Sequence, residues 1–371
     1  MSAELLVSKL LQSKVTCLCS SPDLVPKDFS KPVLCLNGKK RRRFRCLRCN
    51  RVFCENLNRL NYRLKHPDRA LNFKIFSLLF HGSSNRNIAR SLGVSEHCVR
   101  TRLRRMAQRA FDFHSIQMNS LFVREELCYD GLENFAGSQY DPNNINHIIG
   151  RDSLFIYDFS FASLNRKGRM SSWQRNRLRQ IEKQSGRYNP RAIRLATTRL
   201  LKRVHTRCEN SYMRLLSDEH FQYRRSLRLD LPKLAIDHEM VSSKACRNFQ
   251  NILFSVNHAD LVIRQRLASF SRETISFSKS AGAMCQRYIL FMIYKNYMCP
   301  QFTKKHVHRP EAHQKSPAEC LELTDKICDF ADIFTLRSPI ASQSLNEEWR
   351  YFYHGSILPE QKRDKKFVRA A

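Results

Sequence analysis

Acidic side chains are scarce in this chain. Its 371 residues include 65 lysines and arginines but only 33 aspartates and glutamates, which gives a formal net charge of +32. Such an excess predicts salt-dependent attraction to a polyanion, and it favours DNA or RNA over a membrane surface. A nucleic acid is therefore the expected partner.

Long apolar runs are also missing. The longest late run, Tyr288 to Tyr294, is far too short to span a bilayer. Glu4 and Lys9 interrupt the apolar residues of the N-terminus, which argues against a signal peptide. A hydrophobic content of 42% indicates a globular chain, and no internal repeat is visible. We expect two or three domains, no membrane partner and a cytoplasmic, nucleoid-associated location.

Paired cysteines are confined to the N-terminus. Most of the 14 cysteines are scattered singly and are expected to be reduced, buried thiols. Cys46 and Cys49 instead form a Cys-x-x-Cys pair, the spacing of a tetrahedral zinc site. Cys17 and Cys19, an irregular Cys-x-Cys pair, would complete a structural Zn²⁺ site, with Cys35 as a substitute for one of them. Ordinary buried cysteines or a decayed site are the alternative.

A basic run between these cysteine pairs suggests contact with nucleic acid. It includes Arg41, Arg42 and Arg43. A charge run is often only a solvated surface, but on a zinc ribbon it is better suited to contacting phosphates. Residues 1–60 are therefore predicted to be a zinc-ribbon-like DNA-binding module.

Residues 61–115 have the pattern of an all-α helix-turn-helix. An apolar stripe predicts a helix over 72–81, and Ile88, Ala89 and Leu92 indicate a second one. Gly93 supplies the turn, and Ser95 is a good N-cap for the next helix. That helix would enter the major groove. The arginines expected to face away from its apolar side are Arg100, Arg102, Arg104, Arg105 and Arg109, and the first four are predicted to contact DNA. A basic helical hairpin is the alternative.

Residues 116–300 are predicted to form an α/β domain. Strands are expected at 121–130, 146–150, 153–159, 212–218 and 233–238, with two basic helices inserted at about 171–184 and 190–205. This order fits a ribonuclease-H-like fold with a basic helical insertion. Residues 301–371 are expected to be a linker and a helical tail, with a helix near 318–336.

Two aspartates follow strand-like apolar runs in this domain. Asp130 lies in Leu-Cys-Tyr-Asp-Gly and Asp218 lies in Leu-Leu-Ser-Asp-Glu. A ribonuclease-H-like fold brings carboxylates of adjacent central strands together, where they would bind Mg²⁺ or Mn²⁺. Two such ions suit in-line phosphoryl displacement. Either aspartate alone would more often be a turn residue.

A third ligand is expected from a later helix. Asn257, Asp260 and Arg264 share one face at i, i+3 and i+7, and Arg264 is placed to hold a phosphate. The alternative is an N-cap asparagine followed by ordinary helix surface. Weaker candidates in the neighbourhood are Glu133, Glu219, His220 and Glu273, and His238 is expected to be structural.

The order of these motifs resembles a known group. The Cys46-x-x-Cys49 pair, the helix-turn-helix, Tyr129-Asp130-Gly131, Ser217-Asp218-Glu219-His220 and Ile263-Arg-Gln-Arg266 occur in the order of bacterial insertion-sequence transposases with a DDE catalytic domain. The similarity covers residues 15–300. It implies catalytic roles for Asp130 and Asp218, and it places the acidic third position of the motif on Asn257, with Asp260 as the substitute.

The resemblance also implies an activity. This would be strand cleavage and strand transfer at the inverted repeats of an element, on double-stranded DNA of element ends and target, by a homo-oligomer. One rival is a non-catalytic DNA binder, either a decayed transposase or a repressor. Another is an RNA-binding module, which lacks support because no stacking-aromatic motif of the usual RNA modules is visible.

Overall fold

The computed structural model describes residues 69–242, 244–301, 315–334 and 345–368, together with short N-terminal strands. β1 (Leu24–Pro26), β4 (Arg43–Cys46) and β5 (Val52–Cys54) form one antiparallel sheet, and β2 (Val33–Leu34) pairs with β3 (Lys40–Arg41). Cys46, Arg41 and Arg43 lie on these strands, whereas Cys17, Cys19, Cys49 and Arg42 lie outside the described residues. The zinc ribbon therefore stays a prediction.

Three helices follow, α1 (Arg69–Phe80), α2 (Asn85–Ser91) and α3 (Glu96–Asn119). The Ser95 side chain accepts a hydrogen bond from Cys98 N at 3.1 Å, and Gly93 has a φ of +62°. Both local predictions, the N-cap and the glycine turn, are thus confirmed. The apolar positions Ile88, Val99 and Met106 are buried as the pattern predicts. A DNA-binding role for α2 and α3 remains a prediction.

The centre of the molecule is a mixed five-stranded sheet. Its strands are β6 (Leu127–Phe135), β7 (Pro142–Gly150), β8 (Ile156–Ser163), β9 (Tyr212–Asp218) and β10 (Ala235–Val241), in the order β10-β9-β6-β7-β8. β6, β7 and β8 are antiparallel neighbours, whereas β9 and β10 run parallel to β6. The predicted α/β class is confirmed.

The first hairpin is longer than its apolar residues indicate. β6 begins six residues after the predicted start at Leu121, and β7 begins at Pro142 rather than Asn146. Nine residues of each strand are paired, including the buried Asn143, Asn144 and Asn146. The strand prediction relied on apolar residues, so it left out these asparagines, whose polar side chains are buried in the sheet.

Helices cover both faces of the sheet. They are α4 (Ser172–Ser185), α5 (Ala192–His205), the short α6 (Phe221–Arg225), α7 (Phe254–Arg266) and α8 (Ala281–Tyr297). The Tyr129 hydroxyl lies 2.8 Å from Thr197 Oγ1 on α5, whereas Cys128 Sγ donates to Ile252 O near the start of α7. Because successive strand residues point to opposite faces, α5 and α7 lie on opposite faces of the sheet.

The C-terminal segments pack on this core. The predicted helix over 318–336 is instead two short helices, α9 (Pro317–Cys320) and α10 (Phe330–Phe334), because Glu322 adopts a φ of +56° between them. α11 (Glu347–Tyr353) follows, and Trp349 Nε1 donates to Phe159 O on β8 at 3.1 Å. Residues 302–314 of the predicted linker lie outside the described residues. No helix in the described ranges has the length and apolarity to cross a bilayer.

Candidate functional site

Sheet register places the two predicted aspartates side by side. Cys128 and Tyr129 of β6 are the parallel partners of Leu216 and Ser217 of β9, so the next residue on each strand is Asp130 and Asp218. Alternation of side chains puts Asp130 on the same face as Cys128, which is the face covered by α7. The two carboxylates therefore start from neighbouring positions under one helix.

The third strand of this row contributes a histidine. His147 on β7 is the cross-strand partner of Asp130 and is 1% exposed. Its Nε2 lies 3.4 Å from Oδ1 of Asp260, a residue of α7. These two atoms are buried, and neither hydrogen bonds to another described residue. A row of His147, Asp130 and Asp218 thus lies along the sheet, with Asp260 above it.

A tyrosine on α8 fixes the other side of this histidine. The Tyr288 hydroxyl lies 2.5 Å from His147 Nδ1, and burial raises the pKa of Tyr288 well above its usual value. Burial also lowers the pKa of His147 to about 3, so the ring is neutral and carries one proton. When Tyr288 donates to Nδ1, that proton lies on Nε2 and faces Asp260. His147 then presents its Nε2–H toward the Asp260 carboxylate at 3.4 Å, without hydrogen-bond geometry.

Two of the three carboxylates hold their protons more tightly than usual. Burial is the largest cause that raises the pKa of Asp130 to about 7; the Gly131 N–H opposes it and the charge of Asp218 reinforces it. Burial and then the charge of Asp130 raise the pKa of Asp260 to about 7. Arg247 favours the charged form of both groups. The three aspartates therefore share one electrostatic environment.

Gly131 is required by a close approach beside Asp130. A Cβ at this position would collide with the Asn144 side chain on the neighbouring strand. Because Asp130 and Gly131 are adjacent, a larger residue here would shift the backbone that carries the carboxylate. The glycine of the Tyr-Asp-Gly motif is thus explained by packing rather than by an unusual backbone angle.

The other residues predicted for the helix have different surroundings. Asn257 lies one turn before Asp260, and its side chain makes no hydrogen bond to a described residue. Arg264 donates from Nη1 to Phe270 O and from Nη2 to Glu133 O, at 3.3 and 3.2 Å. Arg264 therefore joins α7 to the following loop and to β6, which limits its freedom to hold a phosphate.

The weaker candidates lie at the edge of the site. His220 N donates to Asp218 Oδ1 at 3.0 Å, and the His220 ring caps α6 by accepting from Gln222 N. His238 Nε2 lies 2.9 Å from Ser217 Oγ, in accord with the structural role expected for it. Glu219 and Glu273 are exposed. These contacts position Asp218 and its strand.

The donor set suits a hard divalent cation. Carboxylate oxygens are the ligands that Mg²⁺ and Mn²⁺ prefer, and Asp260 Oδ1 is buried without a hydrogen bond to a described residue. In the described ranges, no three His, Cys, Asp or Glu side chains already form a group that could hold a metal. A bound cation would therefore have to draw the aspartates closer together while it neutralises their charge.

One predicted DNA-binding arginine needs correction. Arg102 is 7% exposed, and its Nη1 donates to Asn72 Oδ1 on α1 at 2.7 Å. Arg102 thus links α1 to α3 and does not face solvent. Arg100 and Arg104 are exposed, and Arg105 is half-buried. The apolar pattern of α3 alone cannot identify Arg102 as buried, because its partner comes from another helix.

The expectation for Arg109 was also wrong. Arg109 is 2% exposed, and its Nε donates to Ile333 O on α10 at 3.0 Å. The C-terminal segment that packs on α3 thus covers this arginine.

We expect the charge of Asp130 to destabilise the protein in the absence of metal. A carboxyl pKa raised to about 7 adds stability that is present below the unfolded value and lost as the pH rises through about 7. Asp130→Asn should therefore be more stable than the wild type by about 2 kcal/mol at about pH 8 in EDTA, and equally stable at about pH 4. Urea unfolding at both pH values measures this difference.

Two controls accompany this measurement. Asp152→Asn changes an exposed aspartate and should behave like the wild type at both pH values. Added Mg²⁺ should stabilise the wild type at the higher pH more than it stabilises Asp130→Asn. Parallel pH dependence in the wild type and Asp130→Asn would contradict the buried, charge-repelled carboxylate.

Sequence reasoning missed His147 and Tyr288. The only available signal was a histidine inside an apolar run that was already predicted to be a strand. The role of His147 depends on its register with Asp130 and on the position of α7 over the sheet. Neither can be inferred from the residues around His147 in the sequence. Comparison with known proteins adds no assignment: no protein-family model matches the chain, and no curated protein matches it.

Proposed function

We propose that the chain is a DNA transposase of the DDE type with a ribonuclease-H-like catalytic domain. The observation that supports this most strongly is the placement of Asp130 and Asp218 on adjacent parallel strands, with Asp260 above them. The sheet, with three antiparallel strands followed by two parallel to the first, is compatible with such a domain. Its substrate would be the double-stranded DNA of element ends and target.

The chain's own residues would hold and orient the reacting groups. Asp130, Asp218 and Asp260 would bind Mg²⁺ or Mn²⁺, which when bound activates the attacking hydroxyl and stabilises the leaving oxygen. His147, whose buried ring lies 3.4 Å from Asp260, would face the carboxylate from the sheet side. Arg247, whose charge acts on Asp130 and Asp260, would attract the scissile phosphate to the site. Positioning and charge neutralisation supply most of such catalysis.

DNA would be brought to this site by the preceding modules. The exposed Arg100 and Arg104 of α3 and the basic N-terminal strands would contact phosphates of the element end. The cysteine cluster would hold one structural Zn²⁺. Joining two element ends calls for a homo-oligomer on DNA, associated with the nucleoid.

Metal-dependent nicking tests the catalytic proposal. Wild-type protein with Mg²⁺ or Mn²⁺ should nick a duplex that contains an element end, whereas Asp130→Asn and Asp218→Asn should lose this activity by at least about a hundredfold. Both variants should still bind the duplex, because the expected DNA contacts lie elsewhere. Asp152→Asn serves as the matched control with full activity. Equal cleavage by all four proteins would refute the assignment of the aspartates.

A non-catalytic DNA-binding protein is the second candidate. It is favoured by the lack of an already assembled group of three metal ligands in the described residues. Such a decayed transposase or repressor would bind the element end with the same modules. Such a protein would not nick DNA with either metal. It would still bind the element end as tightly as a catalytically active transposase would.

A further inference from the structure

A basic cleft separates α2 and α3 from the loop that precedes α8. Its volume is about 590 Å³, which is within the size range of ligand-binding clefts. The polar lining includes five arginines and one lysine against the single glutamate Glu96, namely Arg86, Arg90, Arg100, Arg104, Arg287 and Lys279. Such a concentration of cations on a concave surface focuses an attractive field on anions.

Arg287 on α8 is less exposed than the other cations that line this cleft. Its Nη1 donates to Ser278 Oγ at 2.9 Å and its Nη2 donates to Asn85 Oδ1 at 3.0 Å. Neither partner is a carboxylate, and the nearby Glu96 lies 3.6 Å from the exposed Arg86. Burial lowers the pKa of Arg287 to about 10. A half-buried guanidinium held by neutral partners is a favourable position for an incoming anion.

The cations are spread over too long a distance for one small anion. Arg100 and Arg104 are one helical turn apart on α3, a rise of about 6 Å. Arg86 and Arg90 repeat this spacing on α2. A ladder of positive charges on two helices is complementary to a polymer with regularly repeated phosphates, because each phosphate can meet a different cation.

The same cleft also has an apolar side. Leu103, Leu290 and Phe277 contribute to the lining, and Ile275 is 90% exposed at the cleft. An isoleucine this exposed beside arginines is explained if a sugar or a base covers it, because the ligand would then bury apolar surface as well as charge.

We propose that this cleft binds a strand of DNA, with a phosphodiester group beside Arg287 and the adjacent sugar or base against Ile275. The strand would thereby run from the α2–α3 pair past the start of α8. This assignment depends on the proposed DNA partner, but it does not depend on cleavage. It adds a DNA contact in the cleft between the α2–α3 pair and α8.

Binding without metal tests this cleft separately from catalysis. The full chain is titrated in EDTA with a fluorescent DNA duplex and with the matching single strand, over a range of salt concentrations. Ile275→Glu and Arg287→Gln should each weaken binding to at least one probe by about tenfold. Arg104→Gln should also reduce the slope of log affinity against log salt by about 0.9 for a duplex.

Two exposed control positions match these changes. Leu229→Glu adds the same charge at a side chain 54% exposed outside the cleft, and Lys362→Gln removes one exposed cation outside it. Both should bind DNA as the wild type does. Ile275→Glu keeps the test valid if Arg287→Gln fails to fold, because Ile275 is almost fully exposed. Wild-type affinity of Ile275→Glu and Arg104→Gln for both probes would overturn the assignment.

Crosslinking gives a second readout. DNA containing 4-thiothymidine should form photoadducts with peptides that include residues 275–290, and Ile275→Glu should reduce them. Adducts restricted to other peptides would contradict the cleft. Nicking that persists while these adducts are absent would refute the cleft alone, whereas strong adducts without nicking would refute only the catalytic proposal.

Discussion

Asp260→Asn is expected to slow metal-dependent nicking by about a thousandfold, whereas Asn257→Ala should slow it less than about threefold. The difference follows from the position of each residue on α7. Asp260 lies 3.4 Å from His147, the cross-strand partner of Asp130, and the charge of Asp130 acts on its pKa. An amide in its place would lose the negative charge needed for a divalent ion.

Single-turnover nicking of an end-containing duplex measures both variants. Thermal unfolding shows whether each variant is folded, and a binding measurement in EDTA shows whether it still binds DNA. The two positions are a matched pair because they lie one turn apart on the same helix. A large loss in Asn257→Ala with near-normal activity in Asp260→Asn would instead assign the third ligand to Asn257.

Arg203→Met is expected to lower the free energy of unfolding by about 3–5 kcal/mol. Arg203 on α5 donates to both oxygens of Asp158 on β8, at 2.8 and 3.1 Å, and to Glu348 Oε2 at 2.9 Å. Asp158 and Glu348 are 8% and 2% exposed. Methionine would fill part of the volume but would leave the buried Asp158 carboxylate without a guanidinium partner, and Glu348 would keep only its longer contact with Arg199 at 3.4 Å.

Urea unfolding measures this loss, and a surface pair provides the comparison. Arg151 pairs with Glu126, and the two side chains are 40% and 24% exposed. Arg151→Met should therefore cost only about 0–1 kcal/mol. Similar losses in the two variants would show that the Arg203 cluster contributes no more than an exposed ion pair.

Local sequence signals predicted the elements on which this site is built. The apolar run before Asp218 ends at the end of β9, and the glycine and proline breaks bracket α4 and α5 to within about two residues. The proximity of Asp130 and Asp218 could be anticipated from two adjacent parallel strands, but the predicted strand end at Asp130 was wrong, because β6 continues to Phe135. These inferences need only chain-local periodicity and one rule of sheet geometry.

The third carboxylate could not be chosen in the same way. Asn257, Asp260 and Arg264 share one face of α7, so periodicity alone leaves all three equivalent. Which of the three side chains reaches the aspartates depends on the position of α7 along β6 and β7. That position is set by packing between segments that are far apart in the sequence. The same limitation applies to Arg102, whose partner Asn72 lies on another helix, and to His147, whose partner lies on α8.

The docked C-terminal segment also has a consequence for synthesis on the ribosome. Ser163 N of β8 donates to Gln361 Oε1 at 2.8 Å, and Phe161 N donates to Glu348 Oε1 at 3.0 Å. These amides belong to the outer strand of the sheet that carries the aspartates. In a nascent chain, these two β8 amides therefore lack their side-chain acceptors until residues 345–361 have emerged. The α2–α3 pair precedes all of these segments in the chain. If it binds DNA as proposed, the growing polypeptide could bind DNA before the sheet that carries the aspartates is complete.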